Sequence, residues 1–157
     1  MTLSTAVPRL ADAVSAFGVA AKATLNNPAI TGEPEDQLRA PLVALVKAIA
    51  PLTGLAASDA ELVGETRLSD LMVRPDFAVT RQGALIGFIE IKAPGKGADP
   101  TRFKNRHDRE QWEKLKALPN LIYTDGNAFS LWRDGKLETP IVRLIGDVES
   151  SGKALAA

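Results

Sequence analysis

"RPDFAVTRQGALIGFIEIKAPGKG", residues 74–97, is the stretch that decides the fold. Its two apolar runs, DFAVT and LIGFIEIK, flank a short RQGA segment whose Gly83 allows the tight turn of a hairpin. By the two-residue period of a strand, Glu90 and Lys92 point to the same face of the second run. The stretch therefore predicts a β-hairpin whose apolar strands carry two acids, Asp76 and Glu90, and one lysine.

Two acids and a lysine together indicate a particular chemistry. Two ionised carboxylates about 4 Å apart repel by roughly 4 kcal/mol at an effective dielectric constant near 20. A hard cation such as Mg²⁺ offsets that repulsion with oxygen ligands, and it can polarise a phosphoryl oxygen and activate a water. Lys92 would orient or deprotonate that water and balance charge on the phosphate. The residues predict phosphodiester hydrolysis with Mg²⁺, or Mn²⁺ in its place; the alternative is a structural ion-pair cluster at a strand end.

The flanking sequence predicts helices on either side of this hairpin. GEPEDQLRAPLVALVKAIAPL indicates a helix that starts near Pro34, with acids in its first turn, and stops near Pro51. If the acids are helical, Glu35 falls within the apolar arc, although a helix-start acid that interacts only with the dipole is the alternative. NRHDREQWEKLKAL indicates another helix, and Gln111 lies on its inward arc. That residue could equally be part of a satisfied polar edge.

The remaining apolar runs, NLIYTDG, AFSLWRDG and PIVRLI, are typical of strands. The order of helix, strands, helix and strands predicts an α/β domain in which helices cover a mixed sheet. We expect one domain over residues 1–145, in which residues 1–30 form a peripheral helix. Residues 146–157 are small and polar, which is typical of a linker or tail.

Composition excludes several kinds of site. The chain of 157 residues has no cysteine and one histidine, so disulfides, thiolate metal sites and multi-histidine metal sites within one chain are excluded. The spacing of a phosphate-binding P-loop is absent around PGKG. No apolar run approaches the ~20 residues of a membrane span, and no signal peptide is recognisable. We expect a cytoplasmic protein without a membrane partner.

Charge is distributed unevenly in this chain of zero net charge. Residues 92–116 carry eight basic and four acidic side chains, a local charge of +4. Clustered Lys and Arg bind the phosphates of nucleic acids, although a solvated surface is the alternative. The candidate DNA-binding residues in this segment are Lys96, Arg102, Lys104, Arg106 and Arg109.

The hairpin residues also carry a family resemblance. Pro75 and Asp76, followed by Glu90, Ile91 and Lys92, resemble the PD-(D/E)XK nuclease motif. The blocks RPDFAV, GFIEIKAPGKGADP, HDREQWEKLKALPNLIYTDG and LWRDGK are together similar to the amino-terminal nuclease domain of type ISP and related restriction-modification enzymes. The resemblance spans about residues 30–136 and implies a restriction-endonuclease-like mixed sheet flanked by helices. It also implies a metal-dependent endonuclease that cuts duplex DNA.

The resemblance implies a role for each matching residue. Asp76 and Glu90 would be metal ligands, the backbone carbonyl of Ile91 would complete the shell, and Lys92 would assist the attacking water. The early Glu35 would support the metal. Some branches of the family place a glutamine near the DNA and the lysine, which here is Gln111. The tyrosine that usually follows four residues later is replaced by leucine.

The resemblance also implies partners. Such domains usually share one long polypeptide with translocase, methyltransferase and target-recognition domains, so we expect this chain to be part of a longer enzyme that acts on duplex DNA. Two rival functions stay open. One is a catalytically inactive nuclease-like DNA-binding module, and the other is a protein-interaction domain that shares the fold.

Overall fold

The computed structural model describes residues 9–64 and 73–148. In these ranges the chain forms three α-helices and one sheet of seven strands. The helices are α1 (Leu10–Leu25), α2 (Arg39–Ile49) and α3 (Arg106–Leu115). The strands are β1 (Ala60–Gly64), β2 (Phe77–Arg81), β3 (Ala84–Ile91), β4 (Leu121–Thr124), β5 (Ala128–Arg133), β6 (Lys136–Leu137) and β7 (Val142–Arg143).

The strands form a mixed sheet in the order β1-β2-β3-β4-β5-β6, and β7 also pairs with β5. Strands β3 and β4 are parallel, and every other pairing is antiparallel. A parallel pair needs a crossover connection, which α3 supplies between these two strands. The predicted restriction-endonuclease-like α/β fold, a mixed sheet flanked by helices, is confirmed.

The hairpin of β2 and β3 forms as the sequence predicts. Its two turn residues, Gln82 and Gly83, have φ angles of 49° and 80°, the left-handed region that a tight primed turn requires. The register shifts between Val79 and Thr80, which marks a local irregularity in the ladder. Pairing of Phe77 with Ile89 brings the start of β2 next to the end of β3. The predicted acids therefore meet at one end of the hairpin.

The sheet separates two apolar clusters, and β3 contributes to both. Phe88 packs on the α3 side, whereas Ile89 and Ile91 pack on the side covered by α1 and α2. Glu90 lies one residue from each of the latter two, so the alternation of the strand puts it on the α3 side with Phe88. The fold thus directs Glu90 toward α3. The α3 side also buries Trp112, Leu115, Tyr123 and Trp132, and the opposite side buries Val14, Phe17, Leu38 and Leu42.

Helix α2 begins at Arg39, later than the start near Pro34 that the sequence predicts. Residues Pro34–Leu38 form a 3₁₀ turn, and α-helical bonding starts at Arg39. Pro41 lies in the first turn of α2, where its missing N–H leaves no intrahelical bond unmade. Residues Pro34–Leu38 nevertheless stay next to the hairpin, because Leu38 is fully buried in the cluster that includes Ile89 and Ile91.

Both ends of the described chain pack into the fold. Helix α1 buries Val14, Phe17 and Ala21, so it contributes to the core, which its scattered charges did not indicate. Beyond the boundary predicted at residue 145, Val148 is fully buried and its N–H donates to Asn127 Oδ1 at 2.8 Å. The rest of the predicted tail, residues 149–157, and residues 1–8 lie outside the described ranges. In residues 9–64 and 73–148, no helix is long and apolar enough to cross a membrane.

Candidate active site

A cleft of about 280 Å³ opens where the start of β2, the end of β3, the 3₁₀ turn Pro34–Leu38 and α3 meet. The structure brings all the predicted catalytic and metal-binding residues to this cleft. They are Glu35, Asp76, Glu90, Ile91, Lys92 and Gln111. Asn105, which caps α3 by accepting from the backbone N–H groups of the first turn, also lines it.

Asp76 lies just before β2 and is held by three contacts. Its Oδ2 accepts the backbone N–H of Ile91 at 2.7 Å, and its Oδ1 accepts from the Nη2 of Arg39. The Nη1 of Arg39 also donates to the backbone carbonyl of Asp76 at 3.2 Å. Burial raises the pKa of Asp76, and the Ile91 N–H and the Arg39 charge oppose that rise. Arg39 is a site residue that the sequence did not reveal.

Glu90 is the most deeply buried acid of the predicted set. Its Oε1 accepts from Lys92 Nζ at 3.1 Å and from Gln111 Nε2 at 2.7 Å. Its Oε2 is buried and has no hydrogen-bond partner in the described part of the chain. Burial raises the pKa of Glu90 to about 7, the Asp76 charge adds to the rise, and Lys92 opposes it. Tyr123 on β4 is paired with Glu90 across the sheet, and its hydroxyl is also buried without a hydrogen-bond partner in the described part of the chain.

Lys92 follows β3 directly and is enclosed by acceptors. Its Nζ contacts Glu90 Oε1, Asp108 Oδ1 at 3.2 Å and Gln111 Oε1. Three acceptors match the three N–H groups of an ammonium ion. Helix α3 supplies two of the three through Asp108 and Gln111, so this helix fixes the position of the lysine head group.

Asp108 is a second site residue that the sequence did not assign. Its side chain is only 4% exposed, and its Oδ2 lies 2.6 Å from Lys96 Nζ. Burial alone would raise the pKa of Asp108, but its contacts with Lys96 and Lys92 outweigh burial and lower it. Asp108 therefore joins the buried lysine to a lysine at the rim of the cleft.

The structure places Glu35 at the cleft but not in a three-carboxylate cluster. Glu35 lies in the 3₁₀ turn and is half-buried. Over residues 9–64 and 73–148, no group of three His, Asp or Glu side chains is arranged to hold a metal ion. Glu35 therefore lines the same cleft as Asp76 and Glu90 without forming such a group with them.

The donors at the cleft fit a hard divalent cation. Asp76 and Glu90 offer carboxylate oxygens, and Ile91, whose N–H donates to Asp76, lines the same cleft and has a backbone carbonyl. Mg²⁺ takes oxygen ligands and keeps several waters, so one or two carboxylates suffice. The unpaired Oε2 of Glu90 is the most direct sign of a missing partner, because a buried acceptor without one costs about 1–3 kcal/mol.

The predicted DNA-binding residues do not form a single group. Lys96 lines the active-site cleft, whereas Arg102 lines a neighbouring cleft. The other three residues, Lys104, Arg106 and Arg109, are exposed and line neither of these two clefts. Arg106 forms an exposed ion pair with Glu110 at 2.6 Å on the surface of α3.

No family model matches this chain, and no curated protein sequence matches it. Among solved structures, it is similar to a protein in the cryo-EM structure of a DrdV–DNA complex. The match has a TM-score of 0.60 and 19% sequence identity, and it covers 89% of this chain and 90% of that chain. At this identity the similarity shows that the two chains share a fold.

Proposed function

We propose that this domain is a Mg²⁺-dependent endonuclease that hydrolyses the phosphodiester bonds of duplex DNA, as restriction enzymes do. The observation that carries the proposal is the meeting of Asp76, Glu90 and Lys92 in one cleft, where Glu90 Oε2 is buried and unpaired. DNA as the substrate is supported by the shared fold with a protein that was solved with DNA.

Asp76, Glu90 and the carbonyl of Ile91 would hold the ion, which supplies Lewis-acid chemistry and a water of lowered pKa when bound. Lys92 would orient the attacking water or balance the charge that builds up on the phosphate. Gln111 contacts both Lys92 and Glu90 and would hold these two side chains in position relative to each other. Because Mn²⁺ accepts similar oxygen donors, it should replace Mg²⁺.

The resemblance extends the proposal to the full protein. We propose that the nuclease domain acts in the cytoplasm, in one polypeptide with translocase, methyltransferase and target-recognition domains. The sequence of the complete gene product tests this directly, because each of those domains carries recognisable motifs. A complete gene product without them would contradict this part of the proposal and leave the chemistry of the cleft untouched.

The chemistry is tested by nicking of supercoiled plasmid. Mg²⁺ and Mn²⁺ should support cleavage, and chelator should abolish it. Asp76→Ala, Glu90→Ala and Lys92→Ala should each lower the cleavage rate by at least about 10²-fold, because the first two remove a proposed metal ligand and the third removes the group that would orient the water. Arg81→Ala, at the turn end of the hairpin, is the matched control and should cut normally. Full activity in a well-folded Lys92→Ala protein would overturn the assignment.

One observation favours a second candidate, a catalytically inactive DNA-binding module. All three donors of Lys92 Nζ are taken by protein acceptors, which leaves none for a phosphate unless the contacts rearrange. The same assay separates the two candidates. Wild-type protein that binds duplex DNA but cuts in neither Mg²⁺ nor Mn²⁺ would favour the inactive module.

A further inference from the structure

A second cleft, of about 400 Å³, adjoins the active-site cleft and shares Lys96 with it. The segment from Gly95 to Phe103 forms one wall, and Ile141 and Arg143 form the other. Lys96, Arg102 and Arg143 give this second cleft its positive charge. Lys96 and Arg102 come from the first wall, and Arg143 comes from the second.

Two of the three cations of the second cleft, Arg102 and Arg143, are available to a ligand, whereas Lys96 is paired with Asp108. Arg102 and Arg143 are exposed, and neither forms an ion pair with any residue in the described ranges. One acid, Asp99, also lines the cleft, and its Oδ1 accepts from the N–H of Thr101 at 3.1 Å and from the Thr101 hydroxyl. These neutral donors fix the carboxylate without cancelling its charge, but the two arginines outnumber it. The cleft therefore presents free positive charge to solvent.

The wall of the second cleft is fixed before any ligand binds. The N–H of Gly97 donates to Asp125 Oδ2 at 2.8 Å, and the carbonyl of Ala98 accepts from the hydroxyl of Ser130. Phe103 lines the cleft and is buried in the apolar core. A site that is ordered in advance avoids part of the entropy cost of binding.

We propose that the second cleft binds a backbone phosphate of the duplex DNA that the active-site cleft cuts, close to the bond that is attacked. Arg102 and Arg143 would hold the phosphate oxygens, and Phe103 and Ile141 would contact the neighbouring sugar. The inference rests on the proposed function and deepens it by naming where the substrate strand runs. Arg143 lies outside the basic segment 92–116, so charge along the sequence does not reveal it.

The test measures binding of a labelled duplex by fluorescence anisotropy, in chelator so that nothing is cut, over a range of salt concentrations. Arg102→Glu and Arg143→Glu should each weaken binding about tenfold. Each should also lower the slope of log K against log salt by roughly 0.9, the value for one phosphate contact. Arg81→Glu makes the same charge change on an exposed residue at the far end of the hairpin, and it should weaken binding less than twofold.

The outcomes separate this inference from the proposed function. Wild-type affinity and salt slope in Arg143→Glu would overturn the second cleft as a phosphate site, while plasmid nicking that depends on Asp76 and Lys92 would leave the proposed function standing. Equal weakening by Arg81→Glu would also overturn it, because net charge alone would then explain the result. Wild-type protein that fails to bind duplex DNA at low salt would overturn both.

Discussion

Arg39 and Asp76, 37 positions apart in the sequence, meet at the candidate active site through two hydrogen bonds. The guanidinium of Arg39 also contacts Asp36 Oδ1 at 3.2 Å and lies 5.4 Å from the centroid of the Phe77 ring. A protein cation thus compensates part of the acidic charge that the sequence indicated a metal ion would balance.

Arg39→Gln should destabilise the metal-free protein, because it leaves the largely buried carboxylate of Asp76 without its charged partner. Since Arg39 is one-third exposed, we expect a loss of about 1–3 kcal/mol rather than that of a fully buried pair. Urea denaturation in chelator measures the loss. A double-mutant cycle with Asp76→Asn isolates the coupling, and additive effects of the two changes would contradict a direct interaction.

Asp108→Asn should lower the free energy of unfolding more than removal of a charge from the surface of the same helix does. Asp108 is 4% exposed and contacts both Lys92 and Lys96, so its loss leaves a buried ammonium short of a counter-charge. We expect about 3–5 kcal/mol by analogy with other broken buried pairs. Glu110→Gln is the control, because its partner Arg106 is exposed and the change should stay within about 1 kcal/mol. Similar losses for both variants in urea melts would contradict the role given to Asp108.

Stability of the metal-free protein should fall as pH rises through the weakly acidic range. The pKa of Glu90 is raised from its ordinary 4.5 to about 7, so between these values the folded state binds more protons than the unfolded state. The free energy of unfolding therefore decreases with pH, by about 3 kcal/mol in total for this group. Glu90 faces Asp76, Lys92 and Gln111. The pKa of Asp76 is also raised, so this residue contributes to the pH dependence in the same direction.

The Glu90→Gln variant isolates this effect because it cannot ionise. Urea denaturation of both proteins in chelator between about pH 5 and pH 8 gives the difference in stability at each pH. We expect the free energy of unfolding of the wild type to fall relative to that of the variant as pH rises. A constant difference over that range would show that Glu90 is not held in its neutral form by burial.

Mg²⁺ should stabilise the wild type by binding the folded state alone. At ten times the dissociation constant the gain is about 1.4 kcal/mol, seen as a rise in Tm at matched ionic strength. Glu90→Gln loses a charged ligand and should gain little. Glu61→Gln, an exposed change on β1, should respond as the wild type does. Equal shifts in all three proteins would place the bound ion elsewhere.

The sequence alone determined the hairpin and the side chains on it. Alternation along β3 put Glu90 and Lys92 on one face, Gly83 allowed the turn, and the arc of α3 turned Gln111 inward; all three are local patterns that hold wherever the segment packs. The order of helices and strands along the chain indicated the class of fold, because that order also follows from local patterns.

Only the tertiary structure decided which charges meet. Arg39 reaches Asp76 across 37 positions, Asp108 joins Lys92 to Lys96, and Arg143 comes beside Arg102 through the pairing of β7 with β5. No periodicity marks these residues, because an ion pair between distant segments depends on how the segments dock. The burial that raises the pKa of Glu90, and leaves its Oε2 unpaired, likewise arises only when α3 closes over the sheet.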